Sequence, residues 1–385
     1  MTARNKPDRG ALSDLRVIEI AGLGPAPFCG MLLADMGADV ILVERSDGTS
    51  SDPLQLGRNA IVNRGKRSLA LDLKDPASAD AVLRLIDEAD VLIEGMRPGV
   101  MERLGLGPEV CLARKADLVY GRMTGWGQDG PLAKAAGHDI NYIALSGALW
   151  FSSSPGEAPM APPTLVGDIG GGALYLAMGI LAALLSARAT GVGQVIDAAI
   201  VDGSANMMNL LLSLYGSGHQ PLERGRGVLD GPHWYGSYRC ADGHFVSVGA
   251  LEPKFNAILF SILGLSDDPD FRDPYDTYHW PRLRQRLTEL FATEPRAHWV
   301  TLLEGSDACF APVLTPRESL SHPHLAAREV YAVRDGLLQA APAPRFSVTP
   351  SGIPGKVPAH GEHGIEILRG AGLDERAIAH LLRGV

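Results

Sequence analysis

Residues 15–43 read LRVIEIAGLGPAPFCGMLLADMGADVILV, and this stretch decides the fold class. Two short apolar runs, 15–20 and 39–43, enclose a helix-like stretch at 28–36. Runs that are apolar at nearly every position are typical of strands covered on both faces, and a helix between two such strands is the unit from which parallel sheets are built. We therefore predict an α/β protein that begins with a strand, a helix and a second strand.

The same alternation continues to about residue 125, and 77–88 supplies another crossover helix. The further runs that predict strands are 68–71, 90–93 and 117–120. A long helical block follows from 141 to 214, with an interruption near 190–194. The segment 169–186 has no charged residue over 18 positions, which is the lower limit for crossing a bilayer. Because its first residues are glycine-rich, we predict a helix buried on all sides and no membrane span.

The character of the chain changes after residue 220. A linker at 224–232 is followed by a hairpin with an Asp-Gly turn, whose strands are 234–239 and 244–248. Helices are expected at 253–263, 280–292 and 295–305, and a Pro/Gly-rich tail from 336 ends in a helix near 374–383. We predict a large domain with a Rossmann-like parallel sheet over 1–220, completed by 335–385. A smaller α+β domain should occupy 221–334.

The composition excludes several classes of protein. The 385 residues have a net charge of −9, whereas broad nucleic-acid binding requires a basic surface. The four cysteines lie far apart without a CxxC pair, which is typical of reduced thiols in a cytoplasmic protein. The first residues lack the apolar core of a signal peptide. No metal site is predicted at the histidine pairs 322/324 and 360/363.

Two glycine-flanked segments each place a titratable side chain ahead of a helical run. GHDINY, at 137–142, has His138 before the run 141–149, and LVGDIGGG, at 165–172, has Asp168 before the run 172–187. A histidine and a carboxylate at two helix starts can add one proton and remove another. The alternatives are structural: His138 caps its helix or pairs with core polar groups, and Asp168 is an ordinary N-cap.

The turn after the first predicted strand begins like a dinucleotide-binding loop. Gly22 and Gly24 match the first two glycines of GxGxxG, but Pro27 stands where the third belongs. Glu44 occupies the place of a ribose-binding acid. Without the third glycine the helix cannot approach the strand closely, so a tight turn of an α/β sheet is the favoured interpretation.

Basic residues cluster between positions 58 and 74. They are Arg58, Arg64, Lys66, Arg67 and Lys74, and the segment has one acid, Asp72. Arg45, Arg97 and Arg103 fall in loops that an α/β sheet brings toward the same edge. Two interpretations stay open at this point: a site for a phosphorylated ligand, or a solvated basic face.

Six ordered segments together resemble the family III CoA-transferases and, within that family, the α-methylacyl-CoA racemases. They are VIEIAGLGPAPFCGMLLADMGADVILVER, RGKRSLALDLK, VLIEGMRPGVMERLGLGP, GHDINYIALSG, LVGDIGGG and GVGQVIDAAIVDG. The similarity extends from about residue 14 to about residue 350 and includes YRCADGHFVSVGALEPKF.

The resemblance implies roles for particular residues. His138 and Asp168 match the two acid–base residues of the racemases, and Glu252 matches the glutamate that supports the histidine. The positions that match the coenzyme A site are Arg45, Leu71, Asp72, Leu73, Lys74, Gly95, Arg103, Gly137, Asp139, Ile140, Asn141 and Tyr142. The substrate is then an acyl-CoA, and no cofactor is expected beyond its coenzyme A moiety.

The resemblance also implies an assembly. The family forms a homodimer of two interlocked rings, with each active site between the large domain of one chain and the small domain of the other. Glu252 would then reach His138 of the partner subunit. A soluble, cytoplasmic enzyme of fatty-acid or lipid metabolism is the corresponding expectation.

Three functions are compared on this basis. A racemase would interconvert (2R)- and (2S)-2-methylacyl-CoA by 1,1-proton transfer through an enolate. A CoA-transferase would use Asp168 as a nucleophile that forms a mixed anhydride, but this chain has GALE, 249–252, where transferases carry a glycine-rich loop. A non-catalytic acyl-CoA-binding protein would leave His138, Asp168 and Glu252 without a role. The presence of His138 favours the racemase.

The protonation state of Asp168 is open at the sequence level. A helix N-terminus lowers the pKa of a carboxyl group, whereas burial beside an apolar acyl chain raises it. The proton-donor role requires the second effect to be the larger.

Overall fold

The computed structural model describes residues 10–48 and 56–383, and these form two compact units. The first takes in the described residues up to Ala148, then Ala161–Met207, and the described residues from Ala332 onward. The second comprises Leu149–Met160 and Met208–Tyr331. Relative to the predicted domains, 149–160 and 208–220 belong with the second unit.

The first six strands in chain order form one sheet in the first unit, in which every pair is parallel. The strands in chain order are β1 Arg16–Ile20, β2 Asp39–Arg45, β3 Arg67–Leu71, β4 Val91–Glu94, β5 Val119–Thr124, β6 Gln194–Ala199, β7 Tyr235–Arg239, β8 Phe245–Gly249, β9 Phe310–Val313, β10 Tyr331–Arg334 and β11 Leu337–Ala340. The order within the sheet is β3-β2-β1-β4-β5-β6, so the strand order reverses beside β1. This is the order of the doubly wound dinucleotide-binding fold, and the α/β prediction is confirmed.

Helices of the first unit cover both faces of this sheet. Fifteen α-helices are formed by the residues that the structure describes. They are α1 Pro25–Asp35, α2 Pro76–Ile86, α3 Val100–Arg103, α4 Pro108–Arg114, α5 Asp139–Ser146, α6 Leu174–Thr190, α7 Ile200–Met207, α8 Asn209–Gly216, α9 Pro253–Ile262, α10 Trp280–Phe291, α11 Arg296–Leu303, α12 Pro316–Ser319, α13 Pro323–Ala327, α14 Gly364–Gly370 and α15 Glu375–Leu381. Short 3₁₀ turns at Gly57–Asn59, Ile61–Asn63 and Pro269–Phe271 and a π-helical segment at Leu165–Ala173 complete the set.

Alternate residues of each strand face opposite cores. Ile18 and Ile20 pack with α2, α14 and α15 on one side, whereas Val17 packs with α1 and α6 on the other. The near-continuous apolar runs that predicted the strands therefore reflect burial on both faces. The C-terminal tail packs on the first unit through α14 and α15.

The prediction of a long helical block over 141–214, interrupted near 190–194, is wrong in two places. Residues 147–164, between α5 and the π-helical segment, form no helix. Residues 194–199 form β6, which pairs with β5 at the edge of the sheet. β6 has exposed residues at Gln194, Val195 and Asp197, so its pattern lacks the continuous apolar run of the inner strands.

The prediction that residues 169–186 are buried on all sides is also wrong. One face of α6 packs over Gly121 of β5 through Leu176 and Ile180. The opposite face is apolar but open in the single chain, with exposed fractions of 49% for Leu174, 59% for Met178 and 71% for Leu185. Leu165–Thr190 has the length and hydropathy of a membrane span by composition alone, yet 44% of its most apolar window is buried inside the protein. Packing against the sheet therefore accounts for the apolar residues of one face of this helix only.

The second unit is built on an antiparallel sheet of order β7-β8-β9. The predicted hairpin is present, with Tyr235 paired to Gly249 and Arg239 to Phe245. Its core consists of aromatic and aliphatic side chains from the sheet and from α9, α10 and α11, among them Trp234, Phe260 and Phe291.

Candidate active site

Asp168 lies inside the π-helical segment rather than at the cap of an α-helix. The segment begins at Leu165, and the amide of Ile169 donates to the carbonyl of Thr164 at 3.0 Å, an i to i−5 bond. The expected helix start at 172 is therefore wrong by seven residues, because α6 continues from a wider turn that begins earlier.

The glycines after Asp168 permit close backbone contact with α7. A Cβ atom at Gly171 would lie 2.7 Å from the amide nitrogen of Ser204, and one at Gly203 would lie 1.9 Å from the carbonyl oxygen of Gly171. Neither contact leaves room for a side chain. The glycine-rich pattern thus holds the π-helical segment against α7.

His138 is the N-cap residue of α5 and is exposed in the single chain. Its backbone amide donates to Oδ1 of Asn141 at 3.0 Å, so Asn141 serves the helix start. The amides at the beginning of a helix have no intrahelical carbonyl partners. Asp139 and Ile140 are the first residues of α5 and contribute two such amides.

Tyr142 fixes the loop that carries His138. Its ring meets Trp126 edge to face at 4.7 Å, and its hydroxyl donates to the carbonyl oxygen of Gly137. A Cβ atom at Gly137 would lie 2.7 Å from this ring, and one at Gly125 would lie 2.0 Å from it. Because Tyr142 is buried, these contacts hold the loop that carries His138 in place.

Asp139 connects the two segments that hold the predicted acid–base pair. Its Oδ1 accepts hydrogen bonds from the amides of Gly167, at 2.9 Å, and Asp168, at 2.8 Å. The negative charge of Asp139 therefore lies close to the carboxyl group of Asp168 and acts on its pKa in the same direction as burial. Burial, and after it the negative charge of Asp139, raise the pKa of Asp168 to about 6, and His138 opposes this shift. The pKa of Asp168 is thus shifted upward, a direction that the sequence left open.

Asp168 lines a cavity of about 910 Å³ at the carboxyl ends of β1 and β2. A cavity in this position, beside the reversal of strand order, is where doubly wound sheets bind their ligands. Gly24 has a φ of 66°, and a Cβ atom there would lie 3.2 Å from Oδ2 of Asp168. The turn with its two glycines therefore passes beside the carboxylate and leaves space in front of it. His138 lies outside the lining of this cavity.

The rim of the cavity carries several polar groups. Glu44, Arg45, Arg58 and His360 contribute to the lining. Arg45 is exposed and pairs with Asp47 at 2.9 Å, and Nε2 of His360 lies 2.8 Å from the carbonyl oxygen of Arg45. Arg45 and Arg58 are thus positive groups within reach of a ligand in this cavity.

Most of the predicted basic cluster has a structural role. Arg64 is buried against Asp35, Lys66 is buried against Glu19 at 2.7 Å, and Arg67 pairs with Asp39 at 2.6 Å. The solvated-face interpretation is wrong for these three residues, and so is the phosphate-site interpretation. Arg58 and Lys74 are the members of the cluster that remain exposed.

The remaining coenzyme A candidates occupy three places in the first unit. Leu71 is buried at the end of β3, Leu73 packs partly on the core, and Oδ1 of Asp72 accepts the amide of Lys74 at 3.0 Å. Gly95 follows β4, and Arg103 ends α3 as an exposed residue.

Glu252 belongs to the second unit, where it is the exposed N-cap residue of α9. Within the described residues its side chain makes no capping hydrogen bond. Among the same residues, no group of three or more His, Cys, Asp or Glu side chains is arranged to hold a metal ion.

Comparison with known proteins gives the context of this site. Residues 12–364 match the model of CoA-transferase family III. The chain is 42% identical to the alpha-methylacyl-CoA racemase of Mus musculus and 41% identical to that of Homo sapiens, each over 96% of both chains. A CAIB/BAIF family protein from Brucella suis has a similar structure, with a TM-score of 0.80 and 26% identity over 94% of this chain and 100% of that one.

Proposed function

The chain belongs to CoA-transferase family III, and we propose that it racemises 2-methylacyl-CoA thioesters with His138 and Asp168 as the two acid–base groups. Its near full-length similarity to α-methylacyl-CoA racemases makes it an isomerase of that kind. The observation that carries the assignment of residues is the raised pKa of Asp168, about 6, on a carboxylate that faces a cavity. With that pKa, roughly one tenth of the molecules hold the proton at pH 7.

Racemisation removes the α-proton from one face of the carbon and returns a proton to the other. Neutral His138 would abstract while protonated Asp168 donates, and the roles exchange in the other direction. The thioester α-proton is more than about ten pK units less acidic than imidazolium, so the site has to overcome roughly 14 kcal/mol. Part of this must come from groups that stabilise the negative charge of the enolate oxygen.

The hydrogen bonds narrow the choice of donors for that oxygen. The amides of Gly167 and Asp168 already donate to Asp139. We therefore assign the enolate oxygen to the first amides of α5, those of Asp139 and Ile140, which lie next to His138 in the chain. The helix dipole of α5 favours negative charge at the same place.

The cavity beside Asp168 would hold part of the acyl-CoA. Arg45 and Arg58 would attract its phosphate groups, because a guanidinium forms bidentate bonds with phosphate. Leu23, Phe28 and Ile169 supply apolar lining next to the carboxylate. A role in fatty-acid or lipid metabolism follows from such a substrate.

A homodimer, with Glu252 of one chain supporting His138 of the other, is part of this proposal. The open apolar face of α6 supports self-association, since a monomer rarely exposes contiguous apolar surface. The interlocked arrangement rests on the resemblance to the family. A cytoplasmic location is proposed because the four cysteines are free and three of them are buried.

A family III CoA-transferase is the alternative. The carboxylate of Asp168 faces the cavity and could attack a thioester to form a mixed anhydride. This reaction leaves the α-proton in place, so the two functions differ in a measurable way.

The deciding experiment is proton NMR of a (2S)-2-methylacyl-CoA with the enzyme in deuterium oxide, without a second acid. We expect loss of the α-proton signal and formation of the 2R thioester. Retention of the α-proton, followed by turnover of coenzyme A when a carboxylic acid is added, would make the protein a transferase.

Variants would test the assignment of one base to each face. His138→Ala and Asp168→Ala should each abolish racemisation while retaining slow α-proton exchange from one enantiomer. Equal loss of exchange from both enantiomers in either variant would contradict the assignment.

A further inference from the structure

We propose that Asp139 is a positioning residue for Asp168 and not a ligand of coenzyme A. Its carboxylate connects the start of α5, which carries His138, to the backbone of the segment that carries Asp168. The proposal rests on the proposed function only in so far as that function gives Asp168 an acid–base role.

The carboxylate of Asp139 makes a close, specific contact with the backbone of the π-helical segment. One oxygen of Asp139 accepts two successive amides, Gly167 at 2.9 Å and Asp168 at 2.8 Å. A Cβ atom at Gly167 would lie 2.4 Å from that oxygen and 2.9 Å from Cγ2 of Ile143, so only glycine fits there. The sequence VGD, at 166–168, thus places a glycine where the carboxylate has to approach the backbone.

The direction of the side chain argues against a coenzyme A ligand. Asp139 points to the π-helical segment and does not line the cavity that contains Asp168, Arg45 and Arg58. A carboxylate would also repel the phosphates of coenzyme A. The resemblance placed Asp139 among the coenzyme A positions, whereas its hydrogen bonds with Gly167 and Asp168 support a positioning role.

The contact fixes the Asp168 backbone relative to the His138 helix. The two catalytic groups must lie on opposite faces of one carbon atom, so a displacement of about 1 Å costs roughly 100-fold in rate. Loss of both amide bonds would free the first turn of the π-helical segment. We therefore expect removal of the acceptor to lower kcat much more than it changes KM.

The charge of Asp139 has a second effect, which can be separated from the first. The charged or titratable groups around Asp168 are Asp139, His138 and Tyr142 from α5, and Glu44, Arg45, Arg58 and His360 around the cavity. After burial, Asp139 is the main cause that raises the pKa of Asp168, and His138 lowers it. Asparagine retains an oxygen that can accept both amides but removes the charge, whereas alanine removes both.

The experiment compares Asp139→Asn, Asp139→Ala and the control Asp129→Asn, which removes one charge from an exposed position of the preceding loop. The rate of α-proton exchange is measured against pH for the enantiomer whose exchange depends on Asp168. That rate rises with pH as Asp168 loses its proton. In Asp139→Asn we expect the rise to shift to lower pH by roughly half a unit or more, with KM within about twofold of the wild type.

Asp139→Ala should lower kcat by roughly 100-fold, and Asp129→Asn should behave as the wild type. Thermal unfolding of each variant identifies any that fail to fold. A rise in KM of Asp139→Asn with an unchanged pH profile would overturn the proposal and return Asp139 to the coenzyme A site.

A second measurement is independent of turnover. Carbon-13 NMR of the protein labelled at the aspartate carboxyl carbons follows the titration of Asp168, whose signal is identified with Asp168→Asn. Asp139→Asn should lower the midpoint of this titration, and an unchanged midpoint would refute the electrostatic role. If the wild type exchanges no α-proton, the proposed function fails, whereas this titration still decides the role of Asp139.

Discussion

His233 should make the second unit sensitive to acid. Its side chain is 0% exposed and stacks on Phe260 at 5.6 Å, with Trp234 and Phe271 edge-on at 4.9 and 5.5 Å. Within the described residues neither ring nitrogen has a hydrogen-bond partner. Burial, and after it the positive charge of Arg284, lower the pKa of His233 to about 3 from its ordinary value of 6.5. The folded protein therefore holds this imidazole neutral.

The sign and size of the effect follow from linkage. The unfolded chain binds a proton at His233 below pH 6.5, whereas the folded chain does so only near pH 3, so stability falls as the pH drops through this range. At about 1.5 units below the ordinary histidine pKa, near pH 5, protonation of His233 stabilises the unfolded chain by about 2 kcal/mol. At pH 7 the same term is about 0.2 kcal/mol.

The test is His233→Leu, which removes the titration and keeps an apolar side chain of similar size. Changes in packing affect the variant equally at both pH values and cancel in the difference. From pH 7 to pH 5 we expect the free energy of unfolding of the variant to gain about 2 kcal/mol relative to the wild type, measured by urea denaturation followed by circular dichroism.

The matched control is His219→Leu, at an exposed histidine of the same unit, which should follow the wild type. An equal acid-induced loss of stability in the wild type and in His233→Leu would refute the reasoning.

Two further predictions concern the first unit. Lys66→Met should lower the free energy of unfolding by about 3–5 kcal/mol, because it leaves Glu19 buried without its partner. Adding Glu19→Leu to this variant should recover most of the loss. A loss below about 1 kcal/mol for the single variant, measured by urea denaturation at pH 7, would contradict the role of the pair. Leu185→Asp on the open face of α6 should convert the proposed homodimer to monomer in sedimentation velocity, whereas Ser186→Asp, also exposed, serves as the control. A dimer that persists in Leu185→Asp would place this face outside the interface.

The sequence predicted the inner part of the fold well because each element there is recognisable from its own residues. β1 and β2 are buried at most of their positions, over 17–20 and 40–43, because both faces of the sheet are covered. β6 was missed because an edge strand needs only one partner and is exposed at half of its positions. α6 was predicted to be buried throughout because its composition does not distinguish a face on the sheet from an open apolar face.

In the candidate site, too, the sequence identified residues that belong to a local pattern and failed where distant partners decide a residue's role. The sequence singled out His138 and Asp168, since glycines around a titratable side chain before a helix form a local pattern. It misjudged Arg64, Lys66 and Arg67, whose partners Asp35, Glu19 and Asp39 lie 28 to 47 residues away in the chain. A basic cluster looks the same in sequence whether it is paired or free.

By itself the sequence determined the α/β architecture, the order of its inner strands along the chain and the two segments that carry the proposed acid–base pair. Only the tertiary structure decided that Asp139 accepts the amides of Gly167 and Asp168, that Gly24 lies beside the carboxylate, and that the pKa of Asp168 is raised to about 6. The reason is physical. Periodicity and turn chemistry act between neighbours in the chain, whereas burial and charge at a site depend on residues that folding brings together from distant positions.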